Sequence, residues 1–413
     1  MSLRVEQPCP QCGGPVTLDA DDRLLTCPYC KVKSFLLTGG APFRYALPNR
    51  AKDQARLIYA PYLRFKGTVF SVTDSGVSYR VLDTTHDGCG QPGLPASLGL
   101  RPQAMKLVRV HSETKGRFLP LALTVRDIFF KATKLHNLME GHAEKQVHHH
   151  AYIGETVSFI YLPLLPREDG LFDAVLGEPL PSSVGVLKNG VPVQPHWQTR
   201  FLAALCPRCG GTLDGEGDCL VPLCPNCDTA WQIGKDALEG VACKVVPNDW
   251  QAALHLPFWK IAVQFPSLRL RSFADFIERT NQPLVPRPEW RRQAMQFWIP
   301  AFKLRPEMFL RVSKQLTISQ RYLLPERQTK IKELVSPHPV TLPRSEALQS
   351  LKVVLAACAA SGREIYSQLS GAAPAAQAAS LVFLPFDDRH HDWTQSHTGA
   401  VIAKSVLHFG RRL

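Results

Sequence analysis

The stretch Cys9-Pro10-Gln11-Cys12-Gly13-Gly14, followed by Cys27-Pro28-Tyr29-Cys30, returns as Cys206-Pro207-Arg208-Cys209-Gly210-Gly211 and Cys224-Pro225-Asn226-Cys227. Fourteen residues separate the inner cysteines in both copies. Two Cys-x2-Cys pairs at this separation are a four-cysteine zinc pattern. Two thiolates on one tight turn face a single ion, and a second turn carried over by a hairpin completes the tetrahedron. The glycines after the second cysteine let the backbone double back. Disulfides or buried thiols are the competing readings. A spacing repeated to the residue, in a chain without an export leader, favours metal.

Four thiolates close the coordination sphere and leave no position for water or substrate, so the two expected Zn2+ ions are structural. Modules this small bury little, and metal binding contributes on the order of 10–16 kcal/mol to folding them at neutral pH. The ligands are Cys9, Cys12, Cys27 and Cys30 in one module and Cys206, Cys209, Cys224 and Cys227 in the other. Four further cysteines, Cys89, Cys219, Cys243 and Cys358, read as reduced thiols.

A chain of 413 residues suggests two to four domains. No basic-then-apolar leader opens it and no apolar run reaches a membrane span, which predicts a soluble, cytoplasmic protein. Proline is abundant, 34 residues, and favours short strands and turns over long helices.

Strand patterns follow the first module over 56–65, 68–73 and 77–82, with a turn at Asp74-Ser75-Gly76. Pro61 predicts an edge or a bulge. Residues 84–103 read as a loop, in which His86-Asp87-Gly88-Cys89 is a turn with an incidental thiol. Val125, Ile128, Phe129, Ala132, Leu135 and Met139 space out one face of a helix. His142 and His148 to His150 read as a solvated loop, and 156–164 as a buried strand.

The second half repeats this order. Val245-Val246-Pro247-Asn248 stands where Ala46-Leu47-Pro48-Asn49 stood, and residues 255–261 match 59–65. Trp298-Ile299-Pro300 matches Phe118-Leu119-Pro120, and 381–386 match 159–164. A helix opens at Pro306-Glu307 with Phe309, Val312 and Leu316 on its apolar face. Extra material follows: a capped helix through Ser345, Glu346, Leu348, Leu351, Leu355 and Cys358 ending near Gly362, an Ala/Gly/Pro-rich loop over 370–380, and surface histidines His390, His391 and His397. The expected fold is therefore α+β and strand-dominated, an internal duplication in which each copy is a zinc ribbon followed by an antiparallel-sheet domain with a packed helix. The domain boundaries are 1–40 and 198–236 for the ribbons, 41–197 and 237–413 for the sheet domains.

The net charge of +13 is concentrated: residues 260–332 hold fifteen basic side chains against five acidic ones. Arg271, Arg287, Arg291, Arg292, Lys303 and Arg305, with Trp290 among them, are the candidate binding residues. Arginine beside aromatics suits single-stranded nucleic acid, and it suits an anionic membrane or an acidic protein as well. A solvated basic face over core aromatics is the blander reading and the favoured one.

No phosphate loop, dinucleotide fingerprint, nucleophile elbow or zinc-protease helix is present in the sequence, and no carboxylate pair stands out as an acid/base couple. The Cys-Pro-x-Cys-Gly-Gly pattern resembles the zinc ribbons of transcription-factor, primosomal and ribosomal proteins. With the Pro-aromatic strands Ala60-Pro61-Tyr62-Leu63 and Leu256-Pro257-Phe258-Trp259, it is also similar to poorly characterised bacterial zinc-ribbon proteins, some of which sit beside membrane-stress or prohibitin-like partners. The resemblance implies a binding module. The expected function is a non-enzymatic adaptor that binds other proteins in a cytoplasmic, membrane-associated assembly. The alternative is a nucleic-acid-binding protein that uses the ribbons and the basic 260–332 stretch, and a cryptic enzyme around His86/Cys89 or His148–His150 ranks third.

Overall fold

The computed structural model describes residues 3–122, 146–181, 190–247, 252–322, 326–328, 330–360 and 363–410. The helix expected through Val125–Met139, together with His142 and Asn248, lies outside them. Among the described residues strands dominate. The first module contributes β1 (Arg4–Pro8), β2 (Pro15–Asp19), β3 (Leu24–Thr26) and β4 (Lys33–Leu37). Then come β5 (Phe43–Ala46), β6 (Ile58–Thr73), β7 (Gly76–Asp87), β8 (Lys106–Arg109), β9 (Arg117–Phe118), β10 (Val147–Arg167) and β11 (Gly170–Asp173). Their nine-stranded sheet runs β2-β1-β8-β5-β10-β6-β7, with β11 on β10 and β9 on β6. The first module is therefore not a separate bead, since β1 and β2 extend this sheet.

The strands expected over 56–65 and 68–73 are one continuous β6, interior to the sheet between β10 and β7. Pro61 thus sits in a central strand, contrary to expectation. Its side of the backbone faces beyond the end of β7, where its carbonyl accepts the Gly88 N–H at 2.9 Å. The missing N–H therefore removes no bond to β10. The histidine run is also no loop. His149 and His150 pair with Val72 and Ser71 as β10 begins, and Ala151 and Ile153 continue an alternation that buries one face up to the bulge before Thr156. The expected loop over 84–103 is likewise strand up to Asp87.

The second half supplies β12 (Arg200–Ala203), β13 (Leu223–Cys224), β14 (Thr229–Ile233), β15 (Leu238–Val241), β16 (Cys243–Val245), β17 (Leu254–Gln264), β18 (Gln296–Pro300), β19 (Arg327–Gln328), β20 (Ala375–Arg389), β21 (Asp392–Gln395) and β22 (Ala400–Ala403). β20 begins inside the stretch read as an Ala/Gly/Pro loop. Seven of these strands form a sheet in the order β18-β17-β20-β16-β19, with β21 and β22 appended.

Corresponding strands in the two sheets pair in the same register. Tyr161 faces Pro61 and Ala46, and Phe383 faces Pro257 and Val245. Leu47 N–H donates to Tyr161 O, and Val246 N–H to Phe383 O, both at 3.0 Å. Ala46 pairs with Val108 as Val245 pairs with Arg327. Past the end of β18, Pro257 O accepts the Ala301 N–H at 3.0 Å, as Pro61 O accepts from Gly88. One sequence match does not survive. β9 lies parallel to β6 with Phe118 beside Tyr59, whereas β18 is antiparallel to β17 and takes the place of β7. The position of Phe118 is occupied instead by Pro337, bridged in parallel to His255.

Helix Pro306–Ile318 starts where expected and buries Phe309, Val312 and Leu316. Helix Arg344–Cys358 ends at Cys358 and has no side-chain cap at its start. It lies across β10 and contacts β6 and β7, so one apolar core joins Phe70, Val72, Ala151 and Ile153 of the first half to the second. Phe70 and Phe309 meet ring to ring at 5.8 Å.

At this seam the buried Glu346 carboxylate accepts the backbone N–H groups of Gly154 and Glu155, at the β10 bulge. Burial, then the Glu155 charge, push its carboxyl up to about 8, against the pull of Lys303 and the two N–H groups. A folded pKa above the unfolded value means that the folded state keeps a proton the unfolded chain has lost. The resulting stability is complete below the unfolded carboxyl pKa and is lost as pH rises toward 8. Urea unfolding is expected to show a loss of roughly 2–4 kcal/mol between pH 5 and pH 8 from this group. Glu346→Gln should flatten that slope. An unchanged slope would reject the assignment.

Candidate metal centres

Each module is built on two turns of the same construction. Gly13 and Gly210 adopt φ values of 71° and 72°, the left-handed conformation that glycine takes without a Cβ clash. Their N–H groups donate to Cys9 O and Cys206 O, and Gly14 O and Gly211 O accept from Cys9 and Cys206. At the second turn, Lys31 and Asp228 hold φ of 62° and 55° and donate to Cys27 O and Cys224 O. A Cβ on Gly14 would come within 2.6 Å of the exposed Tyr29 ring, which would have to shift to admit it.

These turns bring all eight predicted ligands into two clusters. The four ligand atoms of each lie within 4.8 Å of one another. Cys9–Cys30 and Cys12–Cys27 sulfurs are 3.7 Å apart; Cys206–Cys227 are 3.6 Å and Cys209–Cys224 3.5 Å apart. A tetrahedron of sulfurs about 2.3 Å from a central zinc has edges of about 3.8 Å. The spacing therefore fits one ion per cluster and is far too long for bonded sulfurs.

Donors around the sulfurs favour thiolates at Cys27, Cys206 and Cys209, whereas at Cys30 and Cys224 backbone N–H donation is outweighed by burial and the neighbouring sulfurs and the thiol is pushed up to about 12. At Cys27 burial raises the thiol, but N–H donation from Cys30 and Tyr29 outweighs it and the pKa falls to about 6. At Cys206 burial is likewise outweighed, by the Thr229 hydroxyl and two backbone N–H groups, and the pKa again falls to about 6. Asn226 Nδ2 donates to Cys209 at 3.4 Å, and the Thr229 hydroxyl lies 3.1 Å from Cys227. Thr229 and Asn226 are outer partners that hold the ligands in place. Sequence reading gave neither a role, although Asn226 lies inside a ligand motif and Thr229 two residues beyond it.

The modules lie side by side. β12, which leads into the second, pairs with β4 of the first to make the sheet β12-β4-β3. Arg23 and Leu24 N–H both donate to Gly217 O, at 2.8 and 2.9 Å. Leu24 and Phe35 share a core with Ala204, Leu213, Cys206 and Cys224.

The seven basic-stretch candidates do not form one surface. Trp290 is buried against Phe273, ring centroids 5.1 Å apart. Phe297 and Trp298 are buried too, so none of the three aromatics is open for base stacking. Lys303 is also buried, paired with Asp21. Arg271, Arg287, Arg291, Arg292 and Arg305 are exposed; Arg291 pairs with Glu278 and Arg287 lies near Glu289.

His148, His150 and Cys89 are tied up locally, whereas the buried His149 Nε2 has no hydrogen-bond partner among the described residues. His148 contacts Asp74 at 2.7 Å, and His150 Nδ1 is 2.9 Å from the Ser71 hydroxyl. His149 is lowered to about 4, first by burial and then by Lys352 and His150. Cys89 donates to Asp87 at 3.1 Å, and burial with that hydrogen bond pushes its thiol up to about 12. A thiol held protonated is a poor nucleophile.

Two clefts open at corresponding places in the sheets. One, of about 570 Å³, is lined by Ala46, Leu47, Pro48, Tyr59, Val108 and His111 among others. Its counterpart, about 420 Å³, has Val245, Val246, Pro247, His255, Arg327 and Lys330 at the matching positions. Among the described residues no helix is long and apolar enough to cross a membrane. Comparison of the chain with protein-family models, curated proteins and solved structures finds no match.

Proposed function

We propose that the chain is a tandem duplication of a zinc ribbon fused to a sheet domain, and that it acts as a non-enzymatic adaptor for other proteins in the cytoplasm. Each sheet is mixed and not antiparallel as expected, because β5 and β16 run parallel to β10 and β20. One observation carries the reading: each cluster offers four sulfurs at tetrahedral spacing. A metal so enclosed has no open position for substrate, so its role is to hold surfaces in place. Zinc is the ion whose chemistry suits four thiolates and a fixed tetrahedron. The shared register of β5, β6, β8 and β10 with β16, β17, β19 and β20 supports duplication, because unrelated sheets have no reason to repeat a proline at the same ladder position.

Affinity purification of the tagged full chain from its own cells, with and without nuclease, tests this reading. A stoichiometric protein partner that resists nuclease is the expected result, in a complex holding two zinc equivalents per chain as the four-thiolate rule requires. Recovery of nucleic acid in place of protein would overturn it.

A second reading, nucleic-acid binding, draws on Arg269, Arg271, Arg279 and Arg292. All are exposed, and no ion pair is seen for them among the described residues. They could meet phosphates or an anionic membrane, although the buried Trp290 takes away the stacking that single strands reward. This reading predicts affinity that falls steeply with salt.

A further inference from the structure

Asp21 lies in the turn between β2 and β3, inside the stretch that separates the two cysteine pairs of the first module. Its side chain reaches the seam between the halves. There its Oδ2 is 3.5 Å from Lys66 Nζ on β6 and 3.3 Å from Lys303 Nζ, just past β18. The three side chains are only 12, 7 and 9 % exposed. Two ammonium groups from opposite halves thus converge on one carboxylate oxygen.

Burial alone would raise the Asp21 carboxyl, but the Lys303 and Lys66 charges, with Arg23 and Arg64 beyond them, hold it well below the usual carboxylate range. Lys66 is lowered, first by burial, with Lys303 among the charges that oppose its proton. The lysines therefore repel one another, and at low dielectric that repulsion is strong. Removing one partner from a buried ion cluster costs far more than the intact cluster contributes. The turn itself is pinned: Asp22 Oδ2 accepts from Asp19 N at 2.8 Å, and Arg23 and Leu24 donate to Gly217 of the second module.

We propose that the first module is a metal-dependent clasp on the seam: with its ion bound it presents Asp21 between Lys66 and Lys303, and without the ion Asp21 withdraws and the seam loosens. Loosening exposes the apolar faces around Phe70, Val72 and Ile153 together with helix Arg344–Cys358, which are otherwise covered. Metal supply would then govern access to a buried surface. The clasp rests on the metal reading of the cluster.

Hydrogen–deuterium exchange on the full chain, with metal content measured on the same samples, tests it. Asp21→Asn keeps all four ligands and should hold its metal, yet exchange over 150–156 and 344–351 should rise on the order of tenfold, as expected for local opening. The wild type stripped by a chelator should show at least that rise, since the sheet that shares the module loosens with it. In a metal-loaded Lys66→Met/Lys303→Met background, which has no cations to separate, adding Asp21→Asn should leave the seam protected. A metal-loaded Asp21→Asn chain with wild-type protection would overturn the clasp while leaving the metal reading intact. A wild type that takes up no metal would overturn the metal reading, and the coupling with it. If stripping unfolds the wild type throughout, the metal-loaded Asp21→Asn chain decides: raised exchange confined to the seam supports the clasp, and wild-type protection overturns it.

Discussion

Cys27→Ser is expected to lose one metal equivalent and to destabilise the whole chain, whereas Cys224→Ser should lose one equivalent and unfold mainly its own module. The asymmetry follows from how each module is attached. Cys27 is fully buried in the core that also holds Leu25, Tyr45 and Tyr62, and β1 and β2 of its module are strands of the nine-stranded sheet. Cys224 ends β13 in the three-stranded sheet β13-β14-β15, in a core that takes in Leu24 and Phe35 of the first module but no residue of β5, β8 or β10. A metal contribution of about 10–16 kcal/mol equals or exceeds the ~5–15 kcal/mol by which whole domains are stable. Loss at the first module therefore cannot be absorbed by the sheet that shares it. Urea unfolding with amide exchange separates the cases: Cys27→Ser should lower protection in β5, β8 and β10, and Cys224→Ser should leave them protected. Equal, local effects would contradict the attachment seen here.

Asp83→Ala is the second substitution expected to be severe. Arg64 is 1 % exposed, and its Nε and Nη2 donate to the two Asp83 oxygens at 2.8 and 2.9 Å. Among the described residues its Nη1 has no hydrogen-bond partner. Removing the carboxylate leaves a guanidinium buried without compensation, a loss of ~3–5 kcal/mol, nearer the lower figure because Asp83 is 27 % exposed. Arg64→Met in the same background should recover most of that loss, since an apolar side chain of similar length has no charge to satisfy. A double variant as unstable as Asp83→Ala would show that Arg64 acts through packing.

What could be read without coordinates was what chain-local chemistry determines. The Cys-Pro-x-Cys turns need only their own residues, and the eight ligands came together as the spacing required. The Pro-aromatic strands were legible for the same reason, although an edge was the natural expectation for Pro61: sequence does not tell where the neighbouring strand stops. The histidines at 148–150 were read from their polarity, but pairing with β6 decided their conformation. Lys303 stood in an arginine-rich stretch and looked like part of a surface, and Trp290 was a candidate binding residue although core aromatics were the favoured reading. Their burial depends on Phe273 and on Asp21, the latter 282 residues away, and such contacts leave no local mark. The side-by-side packing of the modules was invisible for the same reason.

That packing has a consequence for synthesis. β4 finds its second neighbour only when residues 200–203 have been made, so the N-terminal hairpin leaves the ribosome with one edge unpaired and waits through more than 160 further residues. During that interval the edge can be met by β12 of another nascent chain as readily as by its own. Crowded polysomes and scarce metal would favour such exchange, and slow dilute synthesis the closed monomer. Swapped dimers made in the cell, and not obtained by refolding the purified chain, would be the trace of that competition.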